Sequence, residues 1–183
     1  MIRVIVILTI YFMTTPSQAQ NQDPWSVYMT PADVHTLFSK YTGNFKMEMT
    51  VGIGSSQPTV FTMDSHHQML LGGRFLEMKQ QGDMMGVDYQ CMTTLGFNTI
   101  DRQMALTTIT NMGTGTLSLF GKWDKKDKSA TLYGKLTNPV TKNIINVKQI
   151  ISFPDKDTIF IESFDQEGDK PEVKTVQYKF IRK

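Results

Sequence analysis

From residue 43 onward, the chain alternates apolar and polar residues, and turn residues interrupt the pattern about every ten positions. Phe45, Met47, Met49 and Val51 fall on one face, with Lys46, Glu48 and Thr50 on the other. Val176, Tyr178 and Phe180 repeat the pattern near the C-terminus, against Thr175, Gln177 and Lys179. A period of two is the side-chain period of a β-strand with one solvated face. The spacing predicts ten strands, over about 43–51, 58–70, 73–81, 86–96, 103–110, 114–123, 129–137, 143–153, 157–165 and 172–181. Turn chemistry separates them: Gly72-Gly73, Gly82-Asp83, Asn111-Met112-Gly113, Asn138-Pro139 and Pro154-Asp155.

No segment after residue 43 has the length and 3.6-residue period of a crossover helix. Parallel pairing requires such crossovers, so the strands form an antiparallel meander. Open edges recruit other chains and closure removes them. The expected fold is therefore all-β, a closed meander barrel of about ten strands. A two-sheet sandwich is the alternative; the Cys–Trp–Cys pattern of immunoglobulin domains is absent.

The N-terminus reads as an export signal. Arg3 supplies positive charge, Val4 to Met13 are apolar apart from Thr9, and Pro16 ends the stretch. Small residues at Ser17 and Ala19 place the cut between Ala19 and Gln20. Ten apolar residues are too few to span ~30 Å of hydrocarbon. Residues 1–19 are read as signal peptide, 20–30 as a flexible leader and 31–183 as one barrel domain. The protein is expected in the periplasm or secreted, without stable membrane insertion once the signal is removed. Thr30-Pro31-Ala32-Asp33 predicts a short helix start, with Thr30 as cap and Pro31 at the first helical position. Val34, Leu37, Phe38 and Tyr41 would share its apolar face, and Gly43 would end it.

Composition narrows the function. Nineteen basic and 17 acidic residues, with no basic run, argue against a nucleic-acid surface. The dense charge cluster from Lys122 to Lys128 has both signs and reads as a solvated hairpin tip. Cys91 is the only cysteine, so no intramolecular disulfide forms. It reads as a small buried apolar residue.

Candidate chemistry is sparse. His66 and His67 are adjacent on a strand, so they point to opposite faces and do not grip one ion. The 13 methionines could suggest copper, but only His67-Gln68-Met69 has suitable spacing, and methionine also fills irregular cores. Gly54-Ser55-Ser56 lacks the closing glycine of a nucleophile elbow. Asp165, Glu167 and Asp169 read as solvated loop charges without the EF-hand spacing. No catalytic residue, metal ligand or cofactor is assigned.

Several motifs occur in order: Leu71-Gly72-Gly73-Arg74-Phe75-Leu76, Gly82-Asp83-Met84-Met85-Gly86, Leu95-Gly96-Phe97-Asn98, Asn111-Met112-Gly113-Thr114-Gly115, then Tyr178 and Arg182. Together they resemble the bacterial domain-of-unknown-function 1579 family over about residues 36–183. The resemblance implies a calycin-like barrel related in architecture to lipocalins, and no known activity. The chain departs from the family pattern at Phe45, Cys91, Phe97-Asn98, Thr108 and Thr110. The functional expectation is an exported barrel that binds a small apolar or amphipathic ligand in its lumen. Arg74 and Asn111 are its candidate polar contacts. The alternatives are an interaction module of the cell envelope, or an enzyme with an acid–base pair near Asp64/His66 or Glu77. Oligomeric state is not legible.

Overall fold

The computed structural model describes residues 23–183. The export signal, its cleavage point at Ala19–Gln20 and the start of the leader lie outside those residues. Two short helices, α1 (Pro24–Met29) and α2 (Asp33–Ser39), precede ten strands. The strands are β1 (Gly43–Val51), β2 (Thr59–Leu70), β3 (Phe75–Met84), β4 (Val87–Phe97) and β5 (Gln103–Thr110). They continue as β6 (Leu117–Asp124), β7 (Ser129–Thr137), β8 (Ile144–Ser152), β9 (Thr158–Glu167) and β10 (Val173–Arg182). Each strand pairs antiparallel with its sequence neighbours, and β10 returns to β1 to close the barrel. The expected meander and its closure are both present.

Alternation does fix the inner face. Phe45, Met47 and Met49 of β1, Leu76 and Met78 of β3, and Leu106 of β5 are buried inside, as are Leu119 of β6, Leu132 of β7 and Ile151 of β8. Met47, Met63, Met78 and Met104 are at most 2% exposed, so these thioethers fill the core. Two glycines permit tight curvature. A Cβ on Gly121 would lie 1.9 Å from the Thr131 carbonyl oxygen, and one on Gly134 would lie 2.3 Å from that of Ser118. Any larger residue would force β6 and β7 apart. A register shift between Lys174 and Val176 bends β10 near the barrel's rim.

The helices close one end. Phe38 and Tyr41 pack on Phe153, with ring centroids 6.0 and 4.9 Å away. The Tyr41 hydroxyl donates to the Asp155 carbonyl at 2.5 Å. Arg182 ties this end together: Nε bonds Asp157 Oδ1 at 2.9 Å, while Nη1 and Nη2 donate to the carbonyls of Thr42 and Lys40. Its guanidinium lies 4.7 Å from the Phe45 ring centroid.

The helix start differs from expectation. Ala32, not Thr30, is the residue before α2, and the His35 ring Nδ1 accepts the Ala32 N–H at 2.9 Å. Thr30 precedes Pro31 and is held extended, as that position requires. Its hydroxyl donates instead to the Ser26 carbonyl and finishes α1. Residues 24–29 of the leader are thus helical, begun by Asp23, whose carboxylate accepts the Ser26 N–H.

Candidate functional site

The interior is graded. Near the helices it is greasy and full: Phe38, Phe45, Leu76, Leu95 and Phe153 are at most 1% exposed. A belt of polar residues lies in the middle. Ser65 (β2), Gln80 (β3), Thr93 (β4), Gln149 (β8) and Ser163 (β9) are all buried, and alternation directs them inward. Beyond the belt, at the end away from the helices, burial relaxes. Cys91, Thr110, Asp165, Val176 and Tyr178 are half-buried there.

One hydrogen-bond chain links the helix end to the belt. His67 Nδ1 lies 3.1 Å from the Tyr41 carbonyl, which only accepts, so Nδ1 carries the proton. The ring is neutral, since burial lowers its pKa to about 4. Its Nε2 therefore accepts from the Ser65 hydroxyl at 2.8 Å. Ser65 Oγ in turn takes the amide N–H of Gln80 at 3.5 Å. That order orients the Gln80 amide, because the serine proton is already committed. Gln80 Oε1 is left buried without a partner among the described residues. An orphan acceptor in a protein interior costs about 1–3 kcal/mol. Across the lumen, Gln149 donates to Ser163 Oγ at 3.4 Å.

The groups nearer the rim are shifted toward their uncharged forms. Burial is the main cause in each case: it raises the Tyr89 phenol, pushes Tyr178 up to about 12, and raises the Cys91 thiol and the Asp165 carboxyl.

The two residues expected to bind ligand sit apart. Arg74 lines a cavity of about 470 Å³ outside the barrel, between α1 and the outer face of β3–β5. Its guanidinium donates to the carbonyls of Met29, Leu71 and Gly72, so it staples α1 to the β2–β3 turn. Asn111 borders a separate outer groove. Its Oδ1 accepts the Gln90 N–H at 2.9 Å and its Nδ2 donates to the Asp88 carbonyl at 2.6 Å, fastening the β5–β6 turn to β4. The structure does not bring them together, and neither reaches the lumen.

The other candidates resolve similarly. His66 faces outward and meets Asn44 Oδ1 at 2.9 Å, while Asp64 pairs with Lys183. Glu77 takes the Gln68 amide and sits 3.1 Å from Lys79 on the outer face. These groups do not form an acid–base pair inside the barrel. Both nitrogens of His67 are occupied, so it has no lone pair for copper. Among the described residues no group of three His, Cys, Asp or Glu side chains is placed to hold a metal. Sequence reading missed the polar belt. Its signal was present: Ser65, Gln80, Gln149 and Ser163 interrupt the apolar face at positions where alternation demands an inward residue.

The profile of a family described as "Protein of unknown function (DUF1579)" matches residues 30–182. The chain belongs to that family. No curated protein matches it. Among solved structures, this chain is similar to the crystal structure of Rv2717c from M. tuberculosis, with a TM-score of 0.56 at 12% identity. That match covers 84% of this chain and 99% of the other. A redesigned β-barrel aligns with a TM-score of 0.45 at 10% identity, covering 82% and 95% of the two chains. The Rv2717c likeness concerns fold alone, and this DUF1579 member is a barrel by its own strand pairing.

Proposed function

We propose that this protein is an exported, lipocalin-like carrier of a small amphipathic molecule, taken up at the end of the barrel away from the helices. The unpartnered Gln80 Oε1, inside a belt of buried polar side chains, carries this reading. A buried acceptor that costs stability yet belongs to an ordered hydrogen-bond chain suits a bound group that donates to it. The apolar residues above the belt, Leu136, Ile145 and Val176, would face the ligand's hydrocarbon part. Export rests on the charged, apolar and small-residue sequence of positions 1–19.

The test is native mass spectrometry of the protein purified from the compartment in which it accumulates. The expected result is a chain shortened by 19 residues with a bound small molecule, lost in a Gln80→Leu variant that still folds. Recovery of only bare protein, together with no exchange protection of the belt by added amphipaths, would defeat the proposal.

A further inference from the structure

The helix-capped end carries a cavity separate from the lumen. A cavity of about 560 Å³ lies beside α2, between the β4–β5 and β6–β7 turns. Its apolar lining includes Leu37, Phe97 and Trp123. Around this lining stand four cations from three segments: Lys40 after α2, Arg102 in the β4–β5 turn, and Lys125 and Lys128 in the β6–β7 turn. Asp33 is the one carboxylate in the lining among the described residues, and it pairs with Lys125 at 3.0 Å. The side chains of Lys40, Arg102 and Lys128 have no hydrogen-bond or ion-pair partner there among the described residues. Nearby Asp124 is turned back onto the amides of Lys126 and Asp127.

The surroundings point the same way. Trp25 of α1 is 67% exposed and Ile100 of the β4–β5 turn is 55% exposed. Thr99 donates to the Val27 carbonyl and so holds α1 against that turn. Arg102 and Lys128 occupy left-handed backbone positions, at φ 58° and 47°, where glycine or asparagine sits at lower cost. Turns at the opposite end are balanced in charge, with Asp169 and Glu172 against Lys142 and Lys170. Among the described residues no helix is long and apolar enough to cross a membrane.

We infer that the helix-capped end docks on an anionic membrane surface by seating a phospholipid headgroup in this cavity. Lys40, Arg102 and Lys128 meet the phosphate, and the first methylenes rest on Leu37 and Trp123. Unpaired cations around an apolar floor, flanked by exposed aromatic and aliphatic side chains, match a charged headgroup joined to hydrocarbon. This orientation leaves the other barrel end facing away from the bilayer.

Trp25→Phe makes Trp123 the only tryptophan, and its emission reports on the cavity. In the full chain with that change, dihexanoyl phosphatidylglycerol, kept below its micelle concentration, should shift the emission saturably. Dihexanoyl phosphatidylcholine should bind at least tenfold more weakly. Adding Lys40→Gln, Arg102→Gln and Lys128→Gln should weaken phosphatidylglycerol binding at least tenfold with an unchanged melting temperature. Equal binding of the two lipids, or no effect of the triple change, would overturn the inference. So would displacement by inorganic phosphate at equal concentration, which would identify a free-anion site. Gln80→Leu should leave this binding untouched, which separates it from the lumen proposal.

Discussion

His67 Nε2 accepts a hydrogen bond from Ser65 Oγ at 2.8 Å while the same ring stacks on Phe45 with centroids 4.2 Å apart. A protonated ring would lose that acceptor and place a charge between aromatic rings. Its folded pKa of about 4 lies below the ordinary 6.5, so the unfolded chain binds the extra proton first as pH falls. The stabilising contribution is present above pH 6.5 and is lost progressively toward pH 4. It amounts to about 3 kcal/mol. Urea denaturation at pH 7 and pH 4 should show this loss, and His67→Phe should flatten that part of the profile. An equal pH dependence in the variant would refute the assignment.

Among the described residues Arg182 has more hydrogen-bond partners than any other cation, bonding Asp157, Thr42, Lys40 and Lys156 at once. Arg182→Lys keeps the charge but not the planar fork. It should destabilise the protein by about 2 kcal/mol, seen as a lower urea midpoint. Hydrogen exchange should quicken first at the junction of α2 with β1.

Gln80→Leu removes a buried acceptor that has no partner among the described residues. It should raise stability by about 1 kcal/mol, a melting shift of about 2–4 °C for a domain of this size. If the proposed carrier role holds, the same change abolishes retention of the bound amphipath. A variant both less stable and ligand-competent would contradict the role given to the belt.

Gly121→Ala would set a methyl group against the Thr131 carbonyl oxygen, 1.9 Å away before relaxation. Backbone cannot yield as a side chain does, so the cost should reach about 3 kcal/mol. Gly113→Ala, where a Cβ meets nothing within 4 Å, serves as the neutral comparison. Thermal melting of the pair checks the contrast.

Cys91 should react slowly. Burial raises its pKa, so less thiolate is present at pH 7 than in a free thiol. Labelling by a disulfide reagent at pH 7 should be at least tenfold slower than for the unfolded chain in urea. Matching rates would show an open thiol.

The barrel was legible because side-chain alternation is a local property that each strand carries in its own residues. Phe45, Met47 and Met49 declare an inner face without reference to the rest of the chain, and the turns mark where it ends. Predicted and observed strand limits agree within three residues throughout. The helix start was less legible, since Thr30 could cap α2 or finish α1, and the choice depends on Pro31 and on packing. Function suffered most. Arg74 and Asn111 were singled out as polar residues near glycine turns, yet such residues also satisfy turn carbonyls and amides, which is the work they perform. The belt joins β2, β3, β4, β8 and β9, so no short window of sequence contains it.

The pairing of β1 with β10 joins the two termini of the domain in space. Until β10 emerges from the ribosome, a growing chain has two unpaired borders and no sealed cylinder. Closure therefore joins strands far apart in sequence and waits on β10. Without β10, β1 and β9 would each present an open edge able to pair with another chain.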